Sequence, residues 1–442
     1  MSEENKEAYV VAVDMGYGHQ RAAYPFLSIA TDNTIINANK YPGISRKERK
    51  SWQGGRKWYE IISRYKDVPI IGKLAFSIMD SMQKIEPFYP RRDLSENSYQ
   101  QKYFFGQVKR GLGEHLIKEL NKNPLPFVTT FFVPAYFAEY YGYKGEIYCI
   151  ICDADVARAW APYEPQKSKI KYLVPNKRVK ERLKLYGVKA KNIYFTGFPL
   201  PEENIGGPGM KILKEDLKAR LYNLDPHGIY RKKYAQLIEA YLCPVEEINK
   251  NKHPITIMFA VGGAGAQREL GVTILESLSE HIKKNKLKLI LVAGNRNDVY
   301  LYYEKYLKQN KIINLPGVEI LYAADKMDYF KKFNQALRTT DILWTKPSEL
   351  SFYCGLGIPV IMSRPIGSQE HYNRRWLLAI GGGVDSKNPK YANEWLFDWL
   401  ESGWLAEAAM EGFLDAPKLG TYYVENLVLR GRVSEIKDVH LL

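Results

Sequence analysis

Cysteine is scarce: four residues in 442, at positions 149, 152, 243 and 354. A chain of this length does not rest on so few for a disulfide framework. Cys149 and Cys152 spell C-x-x-C inside the run EIYCIICD, a strand-like stretch in which odd spacing sends the two side chains to opposite faces. They read as buried strand cysteines rather than a metal or redox pair, and this usage fits a cytoplasmic location. Long apolar runs are missing as well. Nowhere do about 18 or more uncharged apolar residues follow one another, so no transmembrane helix is expected. The opening residues, MSEENKEAYVVAVD, lack a positive n-region and an apolar h-region, so no secretory signal is expected. Acidic residues are outnumbered, 49 Asp and Glu against 64 Lys and Arg, which leaves a net charge of +15. That excess favours an anionic partner: nucleic acid, an anionic membrane surface or a phosphorylated ligand.

What is present is enough for two ordinary domains with real cores, since 45% of the residues are hydrophobic. The organising stretch is Asp341 to Gly383, DILWTKPSELSFYCGLGIPVIMSRPIGSQEHYNRRWLLAIGGG. A short apolar strand, Ile342 to Trp344, ends in Thr-Lys-Pro. A small helix, Gly-Ile-Pro and a second buried strand, Val360 to Met362, follow. A loop then carries Gly367 to Glu370, with Asn373 in the first turns of a helix. Strand, loop and helix repeated in this way imply parallel strands with both loops at the carboxyl edge of one sheet, where open α/β sheets bind ligands. Lys346, Glu349, Gln369, Glu370 and Asn373 are expected to converge there.

Near the start, the strand Tyr9 to Asp14 runs into Met15-Gly16-Tyr17-Gly18-His19 and an Ala-rich helix start. A G-x-G turn at a strand-to-helix switch lets backbone approach a ligand, and His19 at its mouth is an acid/base candidate. Residues 41–110 lack strand character and mix bases with aromatics, among them Trp52, Trp58, Arg91 and Arg92. Two readings stand: a helical insertion packed on the first domain, or a membrane-surface patch. Nucleic-acid binding is not expected, for no recognisable module accompanies the charge. Strands are expected at Phe127 to Val133 and Glu146 to Cys152. The second ends in Asp153-Ala154-Asp155, read either as a D-x-D metal pair or, preferably, as Asp153 lining a cleft while Asp155 begins the next turn. Gly206-Gly207-Pro208-Gly209 is the clearest linker signal, followed by a charged helical stretch to about residue 250. A second domain opens at Ile255 to Ala260 with Gly263-Ala264-Gly265-Ala266-Gln267 before a helix, an arrangement suited to a pyrophosphate. Its later strand, Val318 to Tyr322, leads to Met327.

Taken together, MGYGHQRAA, ICDADVARAWAP through YFTGFPL, VEILYAADKMDYF, TTDILWTKP and PIGSQEHYN resemble the GT-B glycosyltransferases. The resemblance is to those that build glycolipids from nucleotide sugars: the monogalactosyl- and processive diglucosyl-diacylglycerol synthases and the MurG-like peptidoglycan enzymes. It covers most of the chain outside residues 41–110, 206–250 and the tail. It implies an α/β fold of two Rossmann-like domains whose parallel sheets face a central cleft. The domains would be an acceptor-side domain (1–205), a linker and helical insertion (206–250), a nucleotide-sugar domain (251–385) and a helical tail (386–442). The chain departs from the family at Ser348-Glu349, where the family has two glycines. The family's ribose carboxylate falls near Phe352 to Cys354, where this chain has no acid, so Glu349 would substitute.

The resemblance further implies a metal- and cofactor-independent inverting hexosyl transfer from a nucleotide sugar, UDP-linked by expectation, to a lipid or other hydroxyl acceptor. Gly16, Gly18, Gly263, Ala264, Gly265, Gln267, Tyr322, Met327, Lys346, Glu349, Ser351, Gln369, Glu370 and Asn373 would bind the donor. Either His19 or Asp153 would be the base, and Trp52, Trp58, Arg91 and Arg92 would meet acceptor and membrane. The location expected is cytoplasmic, peripheral on the inner face of the membrane. The rivals are an epimerase or a soluble-acceptor transferase on the same fold, and a degenerate scaffold that only binds a ligand or partner.

Overall fold

The computed structural model describes residues 7–52, 84–248, 253–260, 265, 267–365 and 367–432. Among the described residues, twelve strands form two six-stranded sheets. The first holds β1 (Tyr9–Ala12), β2 (Ile36–Asn37), β3 (Phe127–Thr129), β4 (Ile147–Ile150), β5 (Lys171–Val174) and β6 (Ile193–Phe195), in the order β2-β1-β3-β4-β5-β6. The second holds β7 (Ile255–Ala260), β8 (Leu287–Gly294), β9 (Val318–Tyr322), β10 (Ile342–Thr345), β11 (Val360–Met362) and β12 (Gly383–Asp385), in the order β12-β11-β10-β7-β8-β9. Every pairing is parallel. This is the α/β pair of Rossmann-like domains with parallel sheets that the resemblance implies. The second sheet has the doubly wound order in which the chain reverses direction between β7 and β10; the first reverses between β1 and β3.

The strands are apolar runs because both faces of each sheet are covered. Along β1 and the residue after it, Val11 and Val13 belong to one core cluster while Val10 and Ala12 belong to another on the opposite face. Cys149 packs in the first-domain core and Cys152 in the cluster shared with the second domain, both as buried free thiols.

One expectation needs correction, and two others gain detail. The strand expected over Phe127 to Val133 stops at Thr129, and a helix runs Phe132–Tyr140. Pro134 falls in that helix's first turn, where its missing N–H leaves no hydrogen bond unmade. The stretch read as a connecting insertion is part of the second-domain core. Helix Lys211–Leu224 buries Leu213, Leu217, Leu221 and Leu224 along one stripe, with i, i+4 and i+3 spacing. The helical tail reaches both domains. Its last helix, Gly420–Arg430, returns to the first domain and sets Val424, Leu427 and Val428 against Val10 and Phe26. Gly420 permits the crossing, because a Cβ there would lie 2.2 Å from the Phe198 carbonyl oxygen. Among the described residues, no helix is long and apolar enough to cross a membrane.

Candidate functional site

The two chain-reversal points face each other across the cleft. On the first-domain side, Gly16 adopts φ +117°, so that β1 can turn sharply into the short helix Gly18–Ala23. On the other side, β10 ends in Lys346-Pro347-Ser348, and Glu349 opens a 3₁₀ turn that runs to Leu356. The domains touch where these meet: a Cβ on Gly18 would sit 3.2 Å from Glu349 Oε2. The G-x-G therefore buys close approach of the first domain's backbone to a carboxylate of the second.

Around that contact lies a row of cross-cleft interactions. Arg21, 2% exposed, places Nε 3.3 Å from Glu349 Oε1, and its Nη2 donates to the Tyr329 hydroxyl at 2.8 Å. Its guanidinium lies 4.2 Å from the centre of the Phe333 ring. Tyr17 reaches over Gly294, donating to Asn295 Oδ1 at 2.8 Å and accepting from Asn295 N at 3.0 Å. Lys326 pairs with Asp14 at 2.5 Å. At the other end, Asn373 of helix Ser368–Ala379 clamps the turn after β4. Its Nδ2 donates to Asp153 Oδ1 at 3.0 Å and its Oδ1 accepts from Ala154 N at 2.7 Å. Lys346 and Glu370 pair beside it at 2.5 Å.

The two aspartates two residues apart have separated roles. Asp155 is fully buried and saturated, taking Arg182 Nε and Nη2 at 2.9 Å each and Arg178 Nε at 2.7 Å. It fixes the β4–β5 turn and has no oxygen to offer a metal shared with Asp153. Asp153 meets an amide rather than a cation. Burial pushes its carboxyl up to about 6, the Asn373 hydrogen bond opposes this, and the charges of Glu349 and Glu370 add to it. Burial lowers His19 to about 4, against the pull of the Thr130 backbone and the Glu349 charge. The imidazole is thus neutral at physiological pH; its ring lies 4.7 Å from that of Phe131, and Nδ1 is buried without a hydrogen-bond partner.

The remaining expected residues fall in several places. Gly265 (φ +68°) and Gln267 (φ +72°) form the end of the second glycine turn, ahead of helix Arg268–Lys283, and the Arg296 guanidinium lies beside Gly265. Gly263 and Ala264 lie outside the described residues, as does Trp58. Gln267 Nε2 donates to the Arg364 carbonyl at 3.5 Å. Tyr322 packs on Tyr300, and Met327 sits in the first turn of helix Lys326–Leu337. Gln369 lies in the first turn of helix Ser368–Ala379. Ser351 is fully buried, with its hydroxyl unpartnered inside the 3₁₀ turn.

Trp52 requires a correction. It was expected to face acceptor or membrane, but it is 6% exposed and packs in the first-domain core, because its ring completes the apolar cover over that sheet. Arg91 is exposed and lies over Phe88; Arg92 donates to the carbonyls of Pro87 and Pro90 at 3.2 Å. Sequence reasoning passed over Asp14, Tyr17, Arg21, Asn295 and Lys326. One signal was available for Arg21, a lone cation in an otherwise small-residue helix start.

A family model described as a domain of unknown function (DUF6938) matches residues 245–315 and 298–423. No curated protein sequence matches the chain. Solved structures with a similar course include MnaA of S. aureus with UDP (13% identity, TM-score 0.47, 97% of this chain and 99% of that one). A UDP-GlcNAc 2-epimerase from Neisseria meningitidis bound to UDP-GlcNAc is also similar (12%, 0.46, 96% and 97%). So is MurG of Acinetobacter baumannii (11%, 0.44, 96% and 99%).

Proposed function

We propose that the chain is a glycosyltransferase that moves a hexose from a nucleotide sugar, UDP-linked by preference, to a lipid or other hydroxyl acceptor at a membrane surface. The observation that carries this reading is the meeting of the two chain-reversal points, with Gly18 against Glu349 and Asp153 against Asn373. Open α/β sheets place ligands at such points, and here two of them share one crevice lined by carboxylates, amides and a neutral histidine.

In this reading the diphosphate lies at the N-terminus of helix Arg268–Lys283, where free N–H groups and Arg296 meet its charge. The base lies at the loop from Tyr322 to Met327, Glu349 takes the ribose, and Gln369, Glu370 and Asn373 hold the sugar. Asp153 is the stronger candidate for the base that takes the acceptor's proton. A carboxylate at about 6 is near the working pH, whereas an imidazole at about 4 holds a proton too weakly. Attack from the face opposite the leaving diphosphate inverts the anomeric centre, and metal independence is part of the proposal.

Calorimetric titration with UDP, GDP and ADP, in EDTA and then in Mg²⁺, is the first test. UDP binding in EDTA that weakens in Glu349→Ala is the expected result, followed by hexose transfer to lipid in vesicles. Absence of binding by all three nucleotides overturns the proposal.

One observation favours a second reading. Asp153 feels both Glu349 and Glu370, so three carboxylates gather where transfer requires one base. Such a group suits proton exchange at a sugar carbon, as in a nucleotide-sugar epimerase. Incubation of a UDP-sugar in D₂O without acceptor separates the two: deuterium on the sugar ring selects the epimerase.

A further inference from the structure

At the outer edge of the cleft, beyond Tyr17, lies a cavity of about 470 Å³ between the β2 end of the first domain and the β9 end of the second. Its size falls in the roughly 300–1,000 Å³ range of small-ligand sites. The charges around it balance: Lys40 and Lys326 against Asp14 and Asp325, with Lys326 and Asp14 paired to each other. A phosphate gains little from such a wall. Four carboxamides supply the rest of its polar character, Gln20, Asn33 and Asn37 from the first domain and Asn295 from the second. Each carries donors and an acceptor, the complement of a neutral heterocycle with N–H and C=O groups on one edge.

Position agrees with chemistry. The glycine turn after β7 and the loop after β9 are separated by β8 alone. At about 4.8 Å per strand, they stand roughly 10 Å apart, comparable with the separation of diphosphate and base in a nucleotide. Gln20 and Asn37 are already oriented, Gln20 Nε2 donating to Asn37 Oδ1 at 2.5 Å. Gln20 is 2% exposed, and its Oε1 has no hydrogen-bond partner. A buried acceptor left unpaired costs about 1–3 kcal/mol, which a ligand N–H would recover.

We infer that this cavity holds the nucleobase of the donor and that the first domain, through Gln20 and Asn37, reads the base. The inference rests on the nucleotide-sugar reading above and adds to it that base choice is made by the domain opposite the one that holds the phosphates. Base discrimination then depends on the two domains being together.

The test is titration of wild type, Gln20→Leu, Asn37→Ala and the isosteric Asn37→Asp with UDP, GDP, ADP and inorganic pyrophosphate. The preferred nucleotide should bind about tenfold more weakly in the variants, and the spread among the three should narrow. Pyrophosphate affinity should not change. Variants that keep the wild-type order and affinities overturn this inference and leave the proposed function standing. An equal loss for pyrophosphate also overturns it, since a base reader is not felt by a ligand without a base. No nucleotide binding to the wild type overturns both.

Discussion

Arg21 and Arg220 are buried to the same 2% exposure, one in the cleft and the other inside the second domain. Their hydrogen bonding differs sharply. Arg220 donates to the carbonyls of Thr340 at 2.8 Å, Leu356 at 2.9 Å, Gly357 at 3.2 Å and Leu337 at 3.4 Å, tying helix Lys211–Leu224 to the segments on either side of β10. Arg21 makes one hydrogen bond, to Tyr329, and an ion pair through Nε with Glu349 at 3.3 Å, while its Nη1 has no hydrogen-bond partner. Tyr353 OH, Ser351 Oγ and His19 Nδ1 are also buried without partners. Some of the unpaired donors and acceptors lie where the two domains close on each other, and others, such as Tyr303 OH and Trp344 Nε1, lie inside a domain.

The sharpest way to break this comparison is to remove each arginine in turn. Arg220→Met leaves buried carbonyls without donors and should cost on the order of 4 kcal/mol, read as a lower midpoint in urea. Arg21→Met loses the Tyr329 hydrogen bond and leaves Glu349 without its buried ion-pair partner, and should cost about 3 kcal/mol. Equal losses would end the distinction. Between these in consequence lies Asp153→Asn, which keeps the Asn373 clamp in outline but removes the proposed base. Turnover should drop by roughly 10²–10⁴-fold with the fold intact. In the wild type, kcat/KM should rise with pH through about 6, where Asp153 loses its proton. A limb near 4 would assign the base to His19 instead.

The sequence carried the fold well because buried parallel strands are written locally, as short apolar runs followed by glycine turns. Part of the candidate site was legible for the same reason: Lys346 and Glu349 follow the end of β10, and Glu370 and Asn373 lie in the helix that follows β11. Their partners were less visible. Arg21 and Tyr17 act through contacts with residues about 280–330 positions away, a pairing that no local pattern encodes. Trp52 shows the opposite failure. A tryptophan among lysines and arginines resembles an interfacial anchor until tertiary packing claims its ring for the core. The last helix was legible as a helix, but its destination was not, since Val424, Leu427 and Val428 would suit either domain.

That last helix gives the smallest effect and a second boundary to compare with the cleft. Glu425 sits half-buried on it, 3.4 Å from Ser28 of the first domain. Burial and then the charge of Glu202 push its carboxyl up to about 7, while Ser28 and Arg430 oppose. The folded chain therefore holds this proton more tightly than the unfolded chain. The group's contribution is most favourable below its ordinary value near 4.5 and declines as pH rises through about 7. Glu425→Gln fixes the neutral state. At pH 8 it should gain about 1 kcal/mol after allowance for solvent screening, a rise of about 1–2 °C in Tm; at pH 4.5 the gain should vanish. Thermal scans of both proteins at the two pH values decide it. A gain of the same size at both pH values would mean that the last helix is indifferent to this proton, and that the cleft alone holds the charge-sensitive contact between the domains.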